Sequence, residues 1–324
     1  MSYTRREFAK LALAAVPAAG LFSAGLNPLR AAESASTTTP AGKPNSKVRG
    51  VHIGLNVPYS FGNNALDPDE TLANCVQVGV SALELRTQPI EIFLGVPVNL
   101  ARPRGVVVDP VAAKASADTL RAWRLAIPAE RIQAFRKKYE DAGVFIEILK
   151  VDGLFGMDDA VLDHTFRLAK SLGARALSAE ISSKEDELKR LGQFADKHQL
   201  MVGYHGHAST TPAHWEKAFS LAKYNGANVD LGHFVAGNNI SPVAFIKQYH
   251  SRITHVHVKD RKMNGGQNFP FGEGDTPIVE VLRLIRDNQW DIQATIEFEY
   301  RVPAGSTRMA EIARAVKYCR DALA

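Results

Sequence analysis

The chain has 324 residues, 45% of them hydrophobic and 23% charged, with a formal net charge of +5. This is enough apolar material for one large α/β domain or two small ones, and it excludes an intrinsically disordered chain. Arg5, Arg6, Lys10 and Arg30 against Glu7 contribute +3 within residues 1–31, so the remainder is near +2 and gives no ground for nucleic-acid binding.

The basic segment Thr4-Arg5-Arg6-Glu7-Phe8-Ala9-Lys10 precedes an uncharged Ala/Leu-rich run from Leu11 to about Leu29, then the small residues Ala31-Ala32. That order predicts a secretory signal over residues 1–31, without the length or hydrophobicity of a good membrane span. The paired arginines followed by Phe8 and Lys10 resemble the bacterial twin-arginine export signal, which implies the matching export machinery as a partner and a periplasmic or otherwise exported location. Residues 32–47, rich in Ser, Thr, Ala, Gly and Pro, are expected to form a flexible linker.

From Val48 onward short apolar strands alternate with amphipathic helices. Strands are predicted at Val51–Leu55, Ala82–Arg86, Phe145–Val151, Arg175–Ile181, Leu200–His205, Ala227–Leu231, Ile253–Val258 and Gln293–Phe298. Helices are predicted at Asp69–Val78, Pro128–Ala142, Asp158–Leu172, Ser183–His198, Thr211–Tyr224, Pro242–Tyr249, Thr276–Asn288 and Ser306–Ala322, with caps such as Asp158 and Ser183 and terminal glycines such as Gly143 and Gly173. Eight strands alternating with eight helices predict a single α/β domain over 48–324 with the (β/α)8 TIM barrel fold; a doubly wound sheet is the alternative. Residues 87–127, interrupted by Pro89, Pro97, Pro103 and Pro110, are expected to be an elaborated loop near the site. Cys75 and Cys319 permit one disulfide but no disulfide framework.

Barrel enzymes carry their chemistry at the C-terminal ends of the strands. Five consecutive strands here end in ionisable residues: Glu180; His205 and His207; Asp230 and His233; His257, Lys259 and Asp260; Glu297 and Glu299. In Ile253–Asp260 the period-two alternation puts His255, His257 and Lys259 on one face. Glu180, Asp230, His257 and Glu297, one from each of four strands, make an oxygen-rich set for one divalent ion, with Mn²⁺ foremost and Mg²⁺, Co²⁺, Fe²⁺ or Zn²⁺ as alternatives. Glu180 and Glu297 are also candidate acid–base groups, and His205 or His207 could protonate a leaving group. His52 and Glu84 are candidate substrate contacts, Lys259 could hold a substrate oxygen, and His255, Asp260 and Glu299 are expected to support the ligands from behind.

Tyr204-His205-Gly206-His207, Val229-Asp230-Leu231-Gly232-His233, His255-Val256-His257-Val258-Lys259-Asp260, Gly272-Glu273-Gly274 and Ile296-Glu297-Phe298-Glu299 together resemble the xylose-isomerase-like barrel superfamily of sugar phosphate isomerases and epimerases. The resemblance covers roughly residues 48–324. It implies a divalent metal on Glu180, Asp230, His257 and Glu297, and a substrate contact at His233. The Tyr-His-x-His pattern resembles members without a ligand glutamate on the fifth strand. The expected function is an exported metal-dependent isomerase or epimerase of a sugar or keto-sugar, working through an enediolate. A lyase or dehydratase acting on keto-sugars or keto-glycosides is the alternative. An endonuclease-IV-like phosphodiesterase and a non-catalytic periplasmic sugar-binding protein fit the composition and the site less well.

Overall fold

A computed structural model of the chain describes residues 42–63, 66–99 and 109–324. The export signal expected at 1–31 and residues 32–41 of the expected linker lie outside the described residues. Eight parallel strands close on themselves: β1 (Val51–Val57), β2 (Ala82–Arg86), β3 (Phe145–Lys150), β4 (Ala176–Glu180), β5 (Met201–His205), β6 (Asn225–Asp230), β7 (Ile253–Val258) and β8 (Gln293–Ile296). Each hydrogen-bonds to its neighbour in chain order, and β8 pairs with β1 to complete the ring. This is the (β/α)8 barrel that the sequence predicts.

Around it stand α1 (Pro68–Gln77), α2 (Thr87–Phe93), α3 (Pro110–Leu125), α4 (Ala129–Asp141), α5 (Asp159–Leu172), α6 (Glu185–His198), α7 (Pro212–Leu221), α8 (Leu231–Asn238), α9 (Val243–Tyr249), α10 (Ile278–Asp287) and α11 (Arg308–Leu323). None of the helices among the described residues is long and apolar enough to cross a membrane. The last part of the expected linker already belongs to the domain. Ser46 is buried, its hydroxyl donates to the Ile53 carbonyl, and its backbone N–H donates to Ser81 Oγ.

Two differences from the sequence reading have a clear cause. The segment 87–127 contains α2 and α3 as well as loop. Two of its prolines sit where a helix tolerates them: Pro89 lies in the first turn of α2, and Pro110 opens α3 behind the Asp109 cap on Ala112 N–H. The short α8 follows β6 with no intervening loop, because the Asp230 side chain accepts from His233 N–H and starts the helix at once.

The outward residues of the strands, such as Leu55, Leu83, Leu177, Val202, Val229, Val256 and Val258, pack into one continuous core with the helices. Cys75 and Cys319 belong to that core as buried free thiols. The inward face differs from the branched aliphatic layers usual in such barrels. Asn56, Glu84, Lys150, His205, Asn228, Asp230, His255, His257, Lys259, Thr295 and Glu297 are all buried. Contacts span the lumen, as from His257 on β7 to Glu84 on β2, two strands that are not neighbours.

One packing contact fixes the turn after β5. Trp215 of α7 is 1% exposed and donates its indole N–H to the Tyr204 carbonyl at 2.7 Å. A Cβ on Gly206 would meet the same indole at 2.3 Å, so only glycine fits between His205 and His207. Replacing Trp215 by Ala is expected to cost about 3–5 kcal/mol. Denaturant unfolding followed by circular dichroism measures this, and a midpoint unchanged from the parent protein would refute the packing role.

Candidate active site

The polar lumen is organised around two histidines, each facing a carboxylate with one nitrogen and the centre with the other. His257 Nε2 donates to Glu84 at 2.5 Å, which leaves Nδ1 turned toward Asp230 Oδ2 at 3.7 Å and Glu297 Oε2 at 3.3 Å. His205 Nδ1 faces Glu180 at 3.1 Å, and its Nε2 lies 3.5 Å from Asp230 Oδ2. A carboxylate behind each imidazole fixes the tautomer and directs the remaining lone pair, the usual support of a metal-binding histidine.

His205, Asp230, His257 and Glu297 thus offer four ligand atoms within 4.8 Å of one another. An ion about 2.1 Å from each donor sets neighbouring donors about 3.0–3.4 Å apart, close to the spacing found. Two of those atoms, His205 Nε2 and His257 Nδ1, are buried without a hydrogen bond among the described residues, and Asp230 Oδ2 meets the Lys259 ammonium at 3.0 Å. Burying polar atoms that way is costly unless something satisfies them, so the donor set fits a divalent cation.

The carboxylates are held independently of the centre. Asp230 spends Oδ1 on the α8 cap, at 2.7 Å from His233 N–H. Glu297 accepts from Asn56 Nδ2 at 2.8 Å through Oε1, which leaves Oε2 for the centre. The ammonium of Lys259, 1% exposed, stands 3.0 Å from Asp230 Oδ2, 2.7 Å from Glu297 Oε2 and 2.7 Å from Glu299 Oε2. Burial alone would lower the Lys259 pKa, but those three carboxylates outweigh it and hold it above the ordinary lysine value. Burial likewise works against the charged form of His257, and Glu84 followed by Glu297 reverses that and raises it. His255, pulled down to about 4 chiefly by burial, stays neutral beneath, 3.4 Å from Glu84 and 2.7 Å from Thr254 Oγ1.

Beside the cluster lies a second group that opens to solvent. Glu180 is half-exposed and takes Lys150 Nζ at 2.5 Å and His207 Nε2 at 2.7 Å. Desolvation would raise its pKa, but the hydrogen bonds from His205 and His207 and the charge of Lys150 push it far below the usual range. The bond to Glu180 raises the His207 pKa, so the proton of this pair rests on His207. His233, its ring centroid 5.2 Å from that of His207, has Nε2 3.1 Å from Lys259 Nζ and Nδ1 2.6 Å from Arg261. Burial, and then the lysine charge, pulls it down to about 4.

Most residues singled out in the sequence come together here, with changed duties. Glu180 is not among the four clustered atoms, where His205 stands, but with His205 and His207 it forms a second group of ligand atoms within 4.8 Å of one another, its carboxylate held by Lys150 and His207. Glu84 lies under His257, fully buried, rather than at a substrate-facing surface. Asp260 does not orient His257: it accepts from the N–H groups of Gly272, Gly274 and Thr276 at 2.7, 2.9 and 3.2 Å and ties down the following loop. His52 stands apart, near the start of β1, paired with Glu147. Glu299 supports Lys259 and also accepts from Tyr59 Oη at 2.5 Å. Sequence reasoning passed over Asn56, Tyr59 and Arg261. Only Asn56 carried a signal, since it lies on the inward face of β1, two residues from Gly54.

The xylose isomerase-like TIM barrel family matches residues 111–322. Inosose dehydratase of Clostridium tetani is 26% identical over 157 residues, covering 41% of this chain and 52% of that protein. Inosose dehydratase of Clostridium botulinum (strain Eklund 17B) is 37% identical over 135 residues, covering 35% and 45%. The chain therefore spans about half the length of the curated relatives it matches. A xylose isomerase-like TIM barrel protein from Mycobacterium smegmatis, solved in complex with magnesium, superposes with a TM-score of 0.56 at 14% identity, over 84% of this chain and 96% of that one. The chain belongs to the xylose isomerase-like TIM barrel family.

Proposed function

We propose that this protein is an exported, divalent-metal-dependent lyase of the dehydratase type, acting on a keto-sugar or keto-cyclitol. The observation that carries the reading is the Glu180–His207 pair, 2.7 Å apart and open to solvent, standing beside the cation cluster and not in it. The partial matches to inosose dehydratases support it. Export rests on Arg5-Arg6 and the apolar run that follows.

His205, Asp230, His257 and Glu297 would hold the ion. Two imidazoles with two carboxylates suit Mn²⁺, Fe²⁺, Co²⁺ or Zn²⁺ better than Mg²⁺. An ion held there would supply Lewis-acid polarisation of the substrate carbonyl, which makes the α-carbon proton more acidic. Glu180, kept ionised by its neighbours, takes that proton. His207, hydrogen-bonded to it, gives a proton to the β-hydroxyl on the same face as the C–O bond breaks, and water leaves. Both carboxylates are hydrogen-bonded, but Glu297 is buried while Glu180 is half-exposed, so Glu180 is the base a substrate can reach.

Epimerisation is the second reading, favoured by one observation. The Lys259 ammonium, beside Asp230 and Glu297, is a proton donor separate from the Glu180–His207 pair. Incubation of Mn²⁺-loaded protein with an inosose in D₂O separates the two. Loss of one water supports the lyase; solvent deuterium at an inverted carbon with no water lost supports the epimerase. Absence of both exchange and product with every metal tried would sink the enzyme reading.

Two variants test the parts. Glu180→Gln is expected to lower kcat by about 10²–10⁴-fold while the protein still binds Mn²⁺. Glu84→Gln, which removes the carboxylate behind His257, is expected to weaken Mn²⁺ binding by about 10–100-fold in calorimetric titration. Unaltered affinity there would remove Glu84 from the metal's support.

A further inference from the structure

The ammonium of Lys259 stands on the same two oxygens that a cation would use. It is 3.0 Å from Asp230 Oδ2 and 2.7 Å from Glu297 Oε2. Those atoms are also the ones that His205 Nε2 and His257 Nδ1 face at 3.3–3.7 Å. Fully buried carboxylates need a counter-charge at all times, and a lysine on the strand itself supplies one before any ion arrives. Lys259 has a further partner, Glu299 at 2.7 Å, which lies outside the four-atom cluster and is joined to Tyr59 and Asn268.

The geometry points to Lys259 as a resident cation that competes with the divalent ion for Asp230 and Glu297 and falls back on Glu299 when the ion is bound. This rests on the reading that His205, Asp230, His257 and Glu297 hold a metal. The direction of the effect follows from how the ligands are held. Asp230 is fixed by the His233 N–H and Glu297 by Asn56, so neither needs the lysine to stay in place. Removing the ammonium leaves the donor geometry and deletes a positive charge beside a dication, so affinity must rise. Lys259 thereby keeps the metal-free protein folded and its ion exchangeable.

The test is the affinity of the full chain for Mn²⁺, measured by competition with a fluorescent chelator starting from the loaded protein, so that no variant has to fold without the ion. Lys259→Met is expected to bind Mn²⁺ at least about tenfold more tightly than the parent. Lys259→Gln should shift the same way, and Lys259→Arg, which retains the charge, should return toward the parent value. The thermal midpoint of the stripped Lys259→Met protein should fall below that of the stripped parent, and added Mn²⁺ should raise it by more. A parent that binds Mn²⁺ alongside a Lys259→Met variant that binds it equally or more weakly overturns this assignment and leaves the metal site standing. A parent that binds no Mn²⁺ overturns both.

Discussion

Glu84 is a carboxylate with no access to water, placed between two histidines in the middle of a barrel, and the site is arranged around that fact. A bare buried charge is among the costliest things a fold can contain. The structure offsets it by bringing His257 across the lumen to donate at 2.5 Å and setting His255 3.4 Å away. Once Glu84 has claimed Nε2 of His257, the other ring nitrogen has one direction left, toward Asp230 and Glu297. The orientation of the central imidazole is thus decided from the far side of the barrel, by β2, before any ligand is present.

The same economy recurs around the ring. Asp230 divides its two oxygens between a helix terminus and the centre, and Glu297 divides its own between Asn56 and the centre. His205 divides its two nitrogens between Glu180 and the centre. Each inner group is bifunctional, with one atom anchored in the scaffold and one aimed inward. The rigidity of the cluster therefore comes from partners outside it: a helix N–H for Asp230 and the side chains of Asn56, Glu180 and Glu84 for the rest.

The sequence made the barrel legible because the period-two strands and capped helices alternate cleanly, and most boundaries fall within a residue or two. What escaped it were elements set by a single side chain: α8, which exists because Asp230 caps it, and α3, whose proline reads as a breaker until Asp109 is seen behind it. The site was legible as a set of strand ends but not as a set of roles. Strand period says that His255, His257 and Lys259 share a face. It does not say that Glu180 turns outward to Lys150, or that Asp260 binds three backbone amides instead of a histidine. Those outcomes depend on side chains that meet beyond the reach of strand or helix period, 12–16 residues on for Asp260, 30 for Lys150 and Glu180, and 173 for Glu84 and His257, and no local pattern encodes them. His52 misled for the related reason that strand membership does not reveal at which end of the barrel a residue lies.

The three amide bonds of Asp260 reach Gly272, Gly274 and Thr276, so the connection that leaves β7 is stapled to the strand's own end. A Cβ on Gly274 would sit 1.9 Å from the same carboxylate, leaving no slack in the join. This side of the mouth behaves as a fixed jamb: a molecule entering the barrel must fit against it as it stands. Any closing movement over a bound substrate is left to the rest of the rim.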